Sequence, residues 1–128
     1  MDLPDPSLLL FVIAGLGGVE LDAAARTAAI EALIGQLEDP QTDNPALVDV
    51  IHALGAIGGG AELSALRRQL LAYRMDSKFA GDENLVKAVV DGLLAHGGAE
   101  DRQTVAFVAD DERTLDGVKI YARAALGR

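Results

Sequence analysis

Glycines cluster near the N-terminus in a pattern that could bind the phosphates of a dinucleotide. Gly15, Gly17 and Gly18 follow an apolar run and precede a predicted helix over residues 22–37, which is the order of a strand, a glycine turn and a helix. The third glycine of that motif would fall on Glu20, whose charge would face the pyrophosphate. Since no other segment alternates like a strand, we expect no cofactor.

The two histidines are candidates for metal binding. His52 and Asp49 stand three residues apart, as on one face of a helix, and could supply two ligands, but a stable site usually needs at least three. We therefore expect a solvated His52 and no metal. His96 precedes Gly97 in the last turn of a predicted helix, where a cation is favoured.

Other catalytic groups are hard to assemble from this sequence. No Ser, His and Asp arrangement is recognisable as a nucleophilic triad, and the chain has no cysteine, which excludes thiol nucleophiles, disulfides and thiolate metal ligands. The acidic groups around residues 38–43 and 110–112 lack the spacing and central glycine of a calcium loop. We expect a protein without catalytic activity of its own.

The charge balance restricts the partners. Lys and Arg number 11 against 20 Asp and Glu, for a formal charge of −9, which repels phosphate backbones and anionic lipid headgroups. We expect neither nucleic acid nor membrane as a partner. The one basic concentration is predicted to be salt-bridged or to face a protein partner; it comprises Arg67, Arg68, Arg74 and Lys78.

The elements that would position these groups repeat along the chain. Four segments carry apolar residues at i, i+3, i+4 and i+7, one face of a helix, beginning at Leu9, Leu47, Val86 and, more weakly, Val118. The offsets of 38, 39 and 32 residues are close to the period of about 40 residues in helical-hairpin arrays. Second helices are predicted between the copies, over residues 22–37, 61–74 and 101–109.

Glycines and caps delimit the same segments. The repeated helices end at glycines such as Gly58 and Gly127, which turn the backbone left-handed without a steric penalty. Their predicted N-caps are Asp5, Asn44, Asp82 and Thr114. In all, the sequence predicts one all-α domain over residues 1–128, an α-solenoid of about seven helices in 3–4 hairpin repeats.

Two junctions resemble those of HEAT repeats of the bilin-lyase-like bacterial class. They are the segment ALGAIGGGAEL at residues 53–63 and the segment ARAALGR at residues 122–128. The resemblance implies that the helix before the glycines is the inner, concave one. It specifies function poorly, because the family covers scaffolds, adaptors, chaperone-like proteins and a few enzymes. The sequence departs from the family in lacking Asp-Pro after the glycines.

The predicted first helix is apolar all round, with Leu10 and Phe11 off the core stripe. An exposed helix of that kind is an association surface. Two explanations fit: the chain is a fragment of a longer array, or another chain covers this end, as in a homo-oligomer. The apolar run 8–14 lacks preceding basic residues and is too short to span a bilayer, so we expect no signal peptide and a cytoplasmic protein by default.

The concave face is the predicted binding surface. Its expected partner-contacting residues are Asp49, His52, Ala53, Lys87 and Asp91. Small residues there would allow a partner's backbone or helix to approach closely, although alanine is also the residue that helices tolerate best. We expect a non-enzymatic protein-binding or scaffold module; the alternative is an enzyme or enzyme-assisting factor of the bilin-lyase-like type, which would need convergent polar groups in a pocket.

Overall fold

The computed structural model describes residues 23–96 and 98–127, which form helices and no strand. The all-α prediction is therefore confirmed for this part of the chain. The helices are α1 (Ala23–Glu38), α2 (Asn44–Ile57), α3 (Gly60–Tyr73), α4 (Ser77–Ala80), α5 (Glu83–Leu94), α6 (Ala99–Asp110) and α7 (Asp116–Ala125).

Six of these helices fall where the sequence predicts them, with bounds that differ by one or two residues. The remaining helix, α4, is a single turn that was not predicted from the sequence. It is capped by Asp76, whose carboxylate accepts hydrogen bonds from the amides of Lys78 and Phe79. The predicted first helix, with Leu10, Phe11 and the cap Asp5, lies outside the described residues.

The helix caps agree with the sequence in one case and differ in two. Asp82 caps α5 as predicted, accepting a hydrogen bond from the amide of Leu85. The N-cap of α2 is Asp43 and not Asn44, because the Asp43 carboxylate accepts the amide of Ala46 at 2.9 Å and Asn44 is already helical. Thr114 does not cap α7 either: Leu115 occupies that position, and Thr114 is buried beside it.

The helix α2 ends at Gly58, whose φ of 68° lies in the left-handed region. This position accepts only glycine for a second reason, since an added Cβ would lie 2.3 Å from the ring of His96. The His96 Nε2 donates a hydrogen bond to the carbonyl of Gly55 at 2.5 Å. His96 thus lies just beyond the end of α5, not in its last turn as predicted, and bonds to the C-terminal turn of the neighbouring α2.

The helices contact one another in two rows. Row A comprises α2, α5 and α7, where α2 packs on α5 and α5 packs on α7. Row B comprises α1, α3 and α6, where α1 packs on α3 and α3 packs on α6. The short helix α4 contacts α5 and α7.

Helices α2 and α5 run parallel, as two contacts at their opposite ends show. At the N-terminal ends the Asn44 side-chain amide donates to the Asp82 carboxylate at 3.0 Å. Towards the C-terminal ends Gly55 and Gly92 meet, so that a Cβ at Gly55 would lie 3.2 Å from the Cα of Gly92. Glycine at this crossing brings the two backbones into direct contact.

The core lies between the rows and is formed by the predicted stripes. The buried apolar residues include Val50, Ile51 and Leu54 of α2, Leu66 and Leu70 of α3, Val86, Val89, Val90 and Leu93 of α5, and Val105 and Val108 of α6. Each large side chain removed from water contributes about 2 kcal/mol. None of the helices in the described residues is long and apolar enough to cross a membrane.

Candidate functional site

A cleft with a volume of about 750 Å³ lies between α2 and α5 on row A. Pro45, Asp82 and Asn84 line it at the N-terminal ends of the two helices, and Ala56 and Ala95 at the C-terminal ends. The cleft therefore follows both helices for most of their length. Its dimensions suit a segment of a partner chain as well as a small molecule.

The floor of the cleft is apolar and combines small residues with the buried Ile51 and the half-buried Val48. Gly55 and Gly92 lie where the helices touch, and Ala88 is buried beside them. The walls carry exposed polar side chains, with Asp49 and His52 on α2 and Lys87 and Asp91 on α5. The cleft thus has a floor that a backbone can approach and walls that can form ionic contacts.

Four of the predicted partner-contacting residues are brought together here: Asp49, His52, Lys87 and Asp91. Ala53 is not among the lining residues, because it is only 7% exposed and belongs to the core. It stands three residues after Val50, at the border of the apolar stripe, and two residues from Gly55, which places it on nearly the opposite side of α2 from the contact with α5. The predicted residues Leu10 and Phe11 lie outside the described part of the chain.

Tyr121 lies next to the cleft, on α7, and sequence reasoning assigned it to the core stripe of that helix. Its ring is half-buried, and its hydroxyl donates to both carboxylate oxygens of Asp91, at 3.0 and 3.1 Å. Together with Ala125 they line a second hollow between α5 and α7, of about 480 Å³. The only signal for this in the sequence is that a tyrosine on an apolar stripe needs a partner for its hydroxyl.

The Asp91 contact also affects the ionisation of the phenol. Desolvation by burial raises the pKa of Tyr121 above its ordinary value, and the hydrogen bond to Asp91 and repulsion from the carboxylates of Asp91 and Glu83 raise the pKa further. The tyrosine therefore stays neutral at physiological pH. A neutral hydroxyl fixes the orientation of the Asp91 carboxylate but leaves its charge in place.

Three of the four residues in the basic concentration, Arg67, Arg68 and Arg74, form salt bridges, which was one of its two predicted roles. Lys78, on α4, forms no ion pair within the described residues. Arg67 pairs with the buried carboxylate of Asp101. Arg68 pairs with Glu38 at 3.2 Å on the exposed surface. These contacts join α3 to α6 on one side and to α1 on the other.

Arg74 makes the third link within row B. Its guanidinium lies 3.7 Å from the Asp111 carboxylate and 5.4 Å from the centre of the Phe107 ring. It also donates to the carbonyl of Leu71 at 2.6 Å. The three arginines of this region thus have internal partners, whereas Arg26 and Arg102 elsewhere in row B are exposed and form no ion pair within the described residues.

A repeated feature of row B was not foreseen from the sequence. Helices α3 and α6 have glycine N-caps, Gly59 and Gly98, without a capping side chain. Three residues later each helix carries a buried acid, Glu62 or Asp101. A Cβ at Gly59 would lie 2.1 Å from the Glu62 carboxylate, and one at Gly98 would lie 3.0 Å from that of Asp101, so the acids cover the helix starts, where negative charge is favoured.

Within residues 23–96 and 98–127, no group of three or more His, Cys, Asp or Glu side chains could hold a metal ion. His52 and Asp49 stay a pair on one wall of the cleft.

Comparison of the chain with models of protein families, with curated proteins and with solved structures finds no match.

Proposed function

We propose that this protein is a HEAT-like α-solenoid that binds a partner protein, and that the cleft between α2 and α5 is the binding surface. On this proposal row A is the inner row of the solenoid and row B the outer row. The observation that carries the function is the cleft itself, in which exposed ionic side chains flank an apolar floor where glycine and alanine lie at the contact of the two helices.

The repeat behind the proposed architecture is supported by features that recur after 39 residues. The N-cap Asp43 of α2 corresponds to the N-cap Asp82 of α5. The N-cap Gly59 of α3 likewise corresponds to Gly98 of α6. Such coincidence of caps in both rows is expected when hairpin units stack, and residue-for-residue recurrence favours a solenoid over an irregular bundle.

The polar groups beside the cleft support a binding role. The Tyr121 hydroxyl donates to both oxygens of the Asp91 carboxylate and orients it, and burial and Asp91 raise the pKa of this phenol. A neutral phenol holding a carboxylate in place suits a surface that recognises charge.

Photo-crosslinking from the cleft tests this function. A benzophenone amino acid replaces Ala56, which is exposed in the cleft, or Ala72, which is exposed on α3 and does not line it. Irradiation in the cells that produce the protein should give a discrete adduct from position 56 and not from position 72.

The partner found in this way is then purified and titrated calorimetrically. The substitution Ala56→Glu places a bulky charge in the cleft and should weaken binding at least about tenfold, whereas Ala72→Glu should leave the affinity unchanged. Equal losses in the two variants, or equal adducts from the two positions, would contradict the proposal.

A further inference from the structure

The walls of the α2–α5 cleft carry more negative than positive charge. The charged lining residues are the carboxylates of Asp49, Asp82 and Asp91 and the amine of Lys87, which gives a formal charge of −2 with His52 neutral. A partner entering the cleft therefore meets a negative field.

Two of the three carboxylates keep their charge despite their hydrogen bonds. Asp91 accepts from the Tyr121 hydroxyl, and Asp82 accepts from the Asn44 amide and the backbone amide of Leu85. All of these donors are neutral, so they orient the carboxylates without neutralising them. These oxygens are held in place before a ligand arrives, which lowers the entropy lost on binding.

Asp49 differs from the other two acids because its carboxylate has no partner among the described residues. It is exposed on the opposite wall from Asp91 and has no hydrogen bond or ion pair with any other described residue. Lys87 stands one helical turn before Asp91 on α5, yet its amine forms no ion pair within the described part of the chain. The cation of the cleft therefore does not neutralise the acids beside it.

The floor determines what kind of cation can reach these acids. Gly55, Gly92 and Ala88 allow a polypeptide backbone to lie low between the helices, and long basic side chains from such a backbone can reach both walls. We propose that the cleft binds a protein segment carrying Lys or Arg side chains, which pair with Asp49 on one wall and Asp91 on the other. The inference rests on the proposed function and names the chemistry of its partner.

Selection from a phage-displayed library of random peptides tests the inference without knowledge of the partner. We expect enriched peptides to carry an excess of Lys and Arg, with affinity that falls as NaCl is added, because salt screens exposed charges. Enrichment of neutral or acidic peptides, or no enrichment over beads without protein, would overturn the inference.

Charge-neutral variants locate the contact. In fluorescence anisotropy with the best-enriched peptide, the double variant Asp49→Asn, Asp91→Asn should bind about tenfold more weakly, as expected for two exposed ion pairs. The double variant Glu31→Gln, Glu112→Gln is the matched control, because it removes the same charge from exposed positions that do not line the cleft. Its affinity should stay within about twofold of the parent; equal weakening in both variants would overturn the inference.

Two further measurements test the basic partner separately from the proposed protein-binding function of the cleft. Carbodiimide joins a carboxylate directly to a lysine amine, so adducts between a lysine-containing peptide and Asp49 or Asp91 are expected, and adducts restricted to row B would contradict the inference. If a non-basic peptide binds the protein and the substitution Ala56→Glu weakens that binding, the basic partner is refuted and the proposed binding module is not. If neither Ala56→Glu nor the double variant Asp49→Asn, Asp91→Asn weakens peptide binding, both the basic partner and the cleft as the binding surface are refuted.

Discussion

Rows A and B hold their helices together by different means. In row A, α2 and α5 meet backbone to backbone at Gly55 and Gly92, and the charged side chains beside this crossing line an open cleft. In row B, α3 and α6 are joined through arginines, with Arg67 on Asp101 and Arg74 on Asp111. Row B is tied together by ion pairs, whereas row A is joined by a glycine contact and leaves carboxylates exposed in its cleft.

The difference shows how an acidic chain divides its few cations. All three arginines of the α3 region are engaged in row B, although acids outnumber bases by 20 to 11 in the whole chain. Row A has only Lys87 within its cleft. The cleft of row A thus has one cation against three carboxylates, which is a local excess of negative charge.

The largest expected effect comes from breaking the buried pair of row B. Asp101 is only 3% exposed, so Arg67→Ala leaves a carboxylate buried without its partner and should lower the free energy of unfolding by about 3 kcal/mol. Urea denaturation measures the loss.

The control for this prediction is Arg68→Ala. Its ion pair with Glu38 has side chains that are 61% and 55% exposed, so the loss should stay below about 1 kcal/mol. Replacing both partners of the buried pair, with Arg67→Met and Asp101→Leu, should recover much of the stability. Equal losses for Arg67→Ala and Arg68→Ala would mean that row B is not held by its buried pair.

A second, smaller effect is expected at the crossing of row A. A leucine at Gly55 would collide with the backbone of Gly92, and the overpacked seam should cost about 2 kcal/mol. The matched substitution Gly35→Leu on α1 meets nothing within 4 Å and should be neutral or stabilising by up to about 1 kcal/mol, since glycine is a poor helix former. Thermal or urea unfolding of the two variants decides whether the glycine contact holds row A together.

The smallest effect concerns the phenol at the edge of the cleft. Because burial and Asp91 raise the pKa of Tyr121 in the folded protein, the folded state holds this proton more tightly than the unfolded chain. Stability should therefore fall as the pH rises above about 10, the ordinary tyrosine value, and Tyr121→Phe should remove this part of the alkaline loss.

Tyrosinate absorbance in a Tyr73→Phe background isolates this titration, since the chain has two tyrosines. The substitution Asp91→Asn should lower the pKa of Tyr121 in that background, because it removes a repulsive charge. An unchanged titration would show that Asp91 does not act on the phenol.

The sequence predicts the cleft residues of row A better than the ion pairs of row B. The cleft residues follow from the periodicity of single helices, whereas the ion pairs depend on contacts between helices. Period and caps locate α2 and α5, and they place Asp49, His52, Lys87 and Asp91 on one surface. They do not reveal that Ala53 is buried, since its burial depends on how closely other helices pack against the border of the stripe. The one-turn helix α4 is too short for any periodicity to detect.

The contacts between rows and repeats lie beyond what periodicity can predict. Tyr121 and Asp91 are 30 residues apart, outside the 38–39-residue spacing of the stripes, and Arg67 pairs with an acid on another helix. Such pairs depend on the rotation of whole helices about their axes. The HEAT-like architecture, the first helix with Leu10 and Phe11, and the identity of the partner stay predictions.

The parallel alignment of α2 and α5 gives the cleft a direction. Both helix N-termini lie at the end marked by Asn44 and Asp82, and both C-termini lie near Gly55 and Gly92. Peptide dipoles that add side by side make the first end electropositive and the second electronegative. If a segment binds along the cleft as proposed, it has two unequal orientations, and the one that places its basic residues towards the carbonyl end is favoured.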